Sequence, residues 1–133
     1  MNIKSKYTSP LVLEKIEIIE GIFRKKNKNL DNISLGVQIN REIHELKENL
    51  FEVLLKVTIS DEEELVFVDV TGRAVFSTEQ KKNDMLEKNT LAIMFPYIRS
   101  YVSIITTQPG MNPIVLPAMN IIALVDKKAL ILI

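Results

Sequence analysis

The chain has 133 residues, 47% hydrophobic and 26% charged, which excludes a disordered chain and suits a single domain over residues 1–133 with a real core. Lys plus Arg equals Asp plus Glu at 17 each, so no net field is available to draw nucleic acid or an acidic membrane. The absence of cysteine excludes disulfides and thiol chemistry and agrees with a reducing cytoplasm. No apolar run reaches the length of a membrane span, and "MNIKSKYTSP" lacks the apolar core of a signal peptide. A cytoplasmic protein without membrane insertion is expected.

The first predicted element is a strand in "LVLEKIEIIEGIF", whose register the pattern leaves open. From Ile33 the alternation becomes strict: Ile33, Leu35, Val37, Ile39, then Arg41 and Ile43, with polar residues and Gly36 between them. A period of two over such a stretch marks a half-buried strand. Phe51, Val53, Leu55, Val57 and Ile59 repeat it, with Glu52, Lys56 and Thr58 on the other face. "HELKEN" and "SDEEE" are polar connections suited to hairpins. "LVFVDVTGRAVF" is apolar on both faces until Asp69 and Thr71. Four successive strands with short turns predict an antiparallel meander.

The second half changes period. "STEQKKNDMLEKN" has helix-forming composition, with Ser77 as a cap. Pro96 suits a first turn better than an interior, so the main helix is expected to begin near Phe95 and to stop at Gln108–Gly110. After "MNPIVL", Pro117 can start a last helix through "AMNIIALVDKK". Strands followed by helices give an α+β fold: a four-stranded antiparallel sheet with helices packed on one face.

The main helix carries two apolar stripes. Leu91, Phe95, Ile98, Val102 and Ile105 form one; Met94, Tyr97, Tyr101 and Ile104 form the second. One sheet covers one stripe, and a domain of this size offers little to bury the other, so the second is assigned to an oligomer interface. The other reading leaves it covered by the last helix and its loop. The apolar "ALILI", residues 129–133, is expected to pack on its own subunit or a neighbour, reaching part of any groove there.

No phosphate loop, paired-carboxylate motif or nucleophile elbow is present, so no catalytic residue, cofactor or metal is assigned. Glu42 and His44 share a strand face, but one His without a converging segment makes a poor metal site. "RKKNKN", residues 24–29, reads as a solvated turn because no aromatics interleave it.

"NLFEVLLKVTISDEEELVFVDVTGRAVFS" followed by "LAIMFPYIRSYVSIITTQPGMNPIVLPAMNIIALV" resembles the SecB family of protein-export chaperones. "IMFPYIR", residues 93–99, and "NPIVLPAMNIIALV", residues 112–125, correspond to the family's helix start and Pro-rich ending. The resemblance implies a non-enzyme, an ATP-independent holdase that binds unfolded or precursor polypeptides in long apolar grooves. It also implies a homo-tetramer, a dimer of dimers with the main helices sandwiched between sheets. By the same resemblance, Leu35, Val37 and Ile39 match groove-lining strand residues, and Val115, Leu116, Met119 and Ile122 match the loop and helix opposite. Asp69, with Phe67 beside it, matches the strand that faces the SecA motor. The chain departs from the strongly acidic export type in its neutral charge and in ending "DKKALILI". That leaves three roles open: export with SecA, dedicated care of one partner such as an antitoxin, or a non-chaperone oligomeric adaptor.

Overall fold

The alternating segments form one sheet in the computed structural model, which describes residues 10–79, 83–118 and 131–132. Strands β1 (Val12–Lys25), β2 (Gly36–Lys47), β3 (Leu50–Ser60) and β4 (Val66–Ser77) are all antiparallel to their neighbours. Helix α1 (Asn83–Ile105) lies on one face, across β1, β4 and β3, and β5 (Ile131–Leu132) adds to the edge at β2. Because side chains alternate across a strand, Val53, Leu55, Val57 and Ile59 of β3 all point toward α1 and are fully buried, as are Val66, Val68 and Val70 of β4. Their facing residues on α1 are Leu91, Met94, Ile98 and Val102. The α+β arrangement, a four-stranded antiparallel sheet covered on one face, is the one expected.

The strand order is not. It runs β1-β4-β3-β2-β5, so β1 pairs with β4 rather than with β2, a Greek-key order in place of the meander. Only β2–β3–β4 are joined by tight turns. Alternation fixes which face a strand buries but not which neighbour it takes, and the longer link over residues 26–35 lets β1 reach the far edge. The β2–β3 turn is tighter than "HELKEN" suggested: β2 runs on to Lys47, and Asn49, with φ of 64°, reverses the chain at once. Asp61 holds the β3–β4 turn by accepting the Val66 N–H at 2.9 Å. Burial pushes its carboxyl upward, but backbone N–H groups of Val66, Leu65, Asp61 and Glu63 outweigh that and hold it below the usual carboxylate range.

Two helix expectations need correction. Helix α1 is continuous from Asn83, with Pro96 in its interior rather than at its start. Proline removes the N–H that Ala92 would accept from, and both Pro96 and Ala92 lie on the exposed side, where water can take the freed carbonyl. Leu91, Met94, Phe95 and Ile98 pack on the sheet to either side of the interruption and keep the axis running. Ser77 is not a helix cap. It ends β4, and its hydroxyl donates to Glu14 Oε1 at 2.6 Å. The helix stops at Ile105, close to the expected break, and Gly110 takes the left-handed φ of 84° that the following turn requires. The helix expected from Pro117 falls largely outside the described residues.

Part of the apolar "ALILI" segment returns to its own chain. In β5, Leu132 pairs with Gly36 and Ile131 with Val37. Truncating residues 129–133 is expected to strip amide-exchange protection from the Gly36–Val37 end of β2 while the Ile43–Val53 pairing stays protected. Unchanged protection at Gly36 and Val37 would show that β5 does not hold that edge.

Candidate functional site

Beyond α1 the chain is extended, and its side chains alternate between the core and solvent. Ile114 and Leu116 are buried, whereas Val115 between them is 66% exposed. Two hydroxyls, one in the last turn of α1 and one just beyond it, pin this segment. Ser103 Oγ donates to the Ile114 carbonyl at 2.9 Å. Thr106 Oγ1 donates to the Val102 carbonyl at 2.7 Å and accepts the Ile114 N–H at 2.8 Å. Thr106 is fully buried, so both polar groups of its hydroxyl are satisfied where water is absent.

Opposite this segment runs the β1–β2 link. Asn29 Oδ1 accepts the Asp31 N–H at 2.8 Å, and Asn32 takes a φ of 65°, which together turn the link back over the sheet edge. Between link and segment lies an open cleft of about 890 Å³. Leu30, Ile33 and Leu35 form one wall, and Met111, Pro113, Ile114 and Val115 the other, with Lys25 and Lys28 among its polar lining.

Of the groove residues expected from sequence, Leu35 and Val115 meet across this cleft. Leu35 does so from the link, one residue before β2 begins, not from a strand. Val37 and Leu116 are fully buried in the core, and Ile39 is half-buried farther along β2. Met119 and Ile122 fall outside the described residues. Sequence reasoning missed Thr106. Its one available signal was the hydroxyl pair Thr106–Thr107 just ahead of the helix break.

Residues of the second helix stripe part company. Tyr97 and Ile104 are exposed at 51% and 67%, but Met94 is fully buried in the chain's own core. Helix geometry explains the split: at about 100° per residue, Met94 lies only about 40° from Ile98, whereas Tyr97 and Ile104 lie about 100° and 120° away. Tyr101 is half-buried against β1. It lies where Gly21 leaves room, since a Cβ on Gly21 would sit 2.7 Å from the Tyr101 ring and hydroxyl.

The far face of the sheet is charged and internally paired. Arg73 donates to Glu52 at 2.6 Å and to Glu17 at 3.3 Å; the Glu52 hydrogen bond, against the effect of burial, raises its pKa. Asp69 is buried and accepts from Thr58 Oγ1 at 3.0 Å, with Lys56 Nζ 3.3 Å from its other oxygen. Phe67 lies under the Arg24 guanidinium, 4.5 Å from ring centre to carbon. Glu42 and His44 pair at 3.1 Å, and no group of three or more metal-ligating side chains occurs among the described residues. Among those residues, too, no helix is long and apolar enough to cross a membrane.

The family model for SecB, described as preprotein translocase subunit SecB, matches residues 1–130. A protein-export protein SecB of Aromatoleum aromaticum is 34% identical over 98 residues, which cover 68% of this chain and 62% of that protein. An uncharacterised protein of Methanocaldococcus jannaschii is 28% identical over 116 residues, 80% of this chain and 75% of that one. Among solved structures, the SecB-like chaperone of Mycobacterium tuberculosis in complex with a ChAD peptide from the HigA1 antitoxin superposes with a TM-score of 0.66, covering 83% of this chain and 88% of that one. At 12% identity this last likeness is one of fold. A family match running over nearly the whole sequence, on a Greek-key sheet with one long covering helix, places this chain in the SecB family.

Proposed function

We propose that the protein is an ATP-independent holdase chaperone of the cytoplasm that binds unfolded polypeptides along the cleft between the β1–β2 link and the segment after α1. The observation that carries this reading is the open cleft with Leu30, Ile33 and Leu35 on one wall and Met111, Pro113 and Val115 on the other, apolar side chains set within a mostly polar lining. A chaperone must hold many sequences, so its contacts are individually weak and apolar. Area removed from water contributes roughly 25 cal/mol per Å² before ordering costs, enough for a long groove to bind firmly while each contact exchanges. Flexible Met111 lets one wall adapt to differing side chains. Val37, Leu116 and Ile39 support the walls from beneath and beside, and Met119 and Ile122 are assigned to the same site.

The working form is a homo-tetramer, a dimer of dimers joined through Tyr97, Tyr101 and Ile104, which leaves Met94 to the core. Named relatives act in protein export, and precursors on that route are the clients assigned here. SecA, at Phe67 and Asp69, is a secondary partner in this reading, and docking there would compete with the contacts Asp69 already makes to Lys56 and Thr58.

Diluting a guanidinium-unfolded client into a stoichiometric amount of the protein, without ATP, is expected to suppress light scattering. Val115→Asp changes an exposed side chain, so it should leave the fold intact while weakening client affinity roughly tenfold, the worth of one large apolar contact. Scattering that proceeds at the same rate with and without excess protein would reject the holdase reading.

A further inference from the structure

We propose that the cleft prefers apolar client segments flanked by acidic residues, read by Lys25 and Lys28; this deepens the holdase reading and rests on it. Arg24, Lys25, Lys26 and Lys28 gather positive charge at the end of β1 and the start of the link, although the chain as a whole is neutral. The structure sets this run against the client cleft: Lys25 and Lys28 line it together with Leu30 and Ile33, and Asp31 is the one acidic residue among its lining. A second cleft of about 660 Å³ shares Lys25 and is lined by Phe23, Arg24, Lys26, Glu64 and Phe67. A segment leaving the first cleft at this end therefore meets two further cations, two aromatic rings and the Glu64 carboxylate.

The acidic turn Asp61–Glu64 stands beside this run, joined to it by the Lys26 N–H donating to the Leu65 carbonyl at 2.8 Å, but in the cleft's own lining Asp31 is the single carboxylate against Lys25 and Lys28. Among the described residues, the ion pairs engage Lys15, Arg41, His44, Lys56 and Arg73, on the sheet or toward α1, and neither Lys25 nor Lys28 takes part. Lysine suits the task. Its ammonium is a point charge on a flexible stem, so it favours acidic neighbours without demanding a fixed geometry, as a sequence-tolerant groove requires. Such attraction acts over roughly 10 Å at 0.1 M salt and fades as salt rises.

Three labelled peptides with one apolar centre and flanks of three Asp, three Ser or three Lys, titrated by fluorescence anisotropy against the full chain, test the proposal. The Asp-flanked peptide is expected to bind about tenfold tighter than the Lys-flanked one at 50 mM salt, with the gap closing at 500 mM. The double variant Lys25→Glu, Lys28→Glu should reverse the order of the Asp-flanked and Lys-flanked peptides. Both residues lie at the exposed rim, so the variant should fold. Equal binding of all three peptides, or preference for the Lys flanks, would overturn the proposal while leaving the holdase standing. Failure of every peptide to bind, the Ser-flanked one included, would remove the holdase reading and this inference with it. A single-stranded oligodeoxynucleotide that displaces the Asp-flanked peptide at lower concentration than unlabelled peptide would reassign the cations to nucleic acid.

Discussion

Met94→Asp is expected to leave no folded protein at ambient temperature. Met94 is fully buried between α1 and the sheet, with Leu91, Phe95, Ile98 and Val102 packed in the same core cluster. A carboxylate there would have no partner, and an uncompensated buried charge consumes several kcal/mol of a total that is only about 5–15 kcal/mol. The milder Met94→Ala should cost about 2–5 kcal/mol, seen as a fall of roughly ten degrees or more in a circular-dichroism melt. The same pair of substitutions separates the two places the sequence offered this side chain. If Met94→Ala left the melting temperature unchanged but dissociated an oligomer, Met94 would belong to an interface and the helix would be rotated from the position described here.

Ile104→Asp should do the opposite. The residue is 67% exposed on a single chain, so a charge there meets water in the isolated protomer and the fold should survive. In a symmetric assembly every copy of the helix brings the same change to the contact. Burying a large apolar side chain is worth about 1.5–3 kcal/mol, so dissociation constants should rise by one to two orders of magnitude for each copy lost from the interface. Light scattering should show the tetramer falling to dimers or monomers, with weaker holding of a non-native client. An unmutated chain that is monomeric at micromolar concentration would remove the interface, and the exposure of Tyr97 and Ile104 would then need another partner.

The contrast between Met94 and Ile104 marks where sequence stops speaking. The strict alternation through Val37 and Ile39, and again from Phe51 to Ile59, was legible because a sheet with one covered face imposes a period of two. The width of the apolar surface on α1 was legible as well. Its division was not: Met94 sits near the border between the two stripes, and a rotation of a few tens of degrees decides which side takes it. Pro96 misled because the rule against interior proline concerns a lost backbone hydrogen bond, and that loss is small where the opposing carbonyl faces water. Leu35 belonged to the apolar alternation, yet the link claims it, because nothing in a period of two says where pairing begins. Thr106 and the two lysines needed three dimensions. A buried threonine and a solvated one look the same in a sequence, and a basic turn gains meaning only when a cleft is found beside it.

The crossing of residues 26–35 from one side of the sheet to the other has a kinetic consequence. One wall of the cleft cannot take shape until β1 has found β4 and β2 has found β3, since the link is anchored at both ends by those pairings. The other wall waits on α1, and the walls come from segments far apart in the chain, so closing the space between them carries a late loop-closure cost. The β2–β3–β4 hairpins, by contrast, join neighbours and assemble early. The cleft assigned to clients is therefore expected to be the last part of the molecule to form and among the first to open under thermal motion, while the sheet beneath stays closed. Slow and reversible breathing of that kind would admit a bulky chain without unfolding the host.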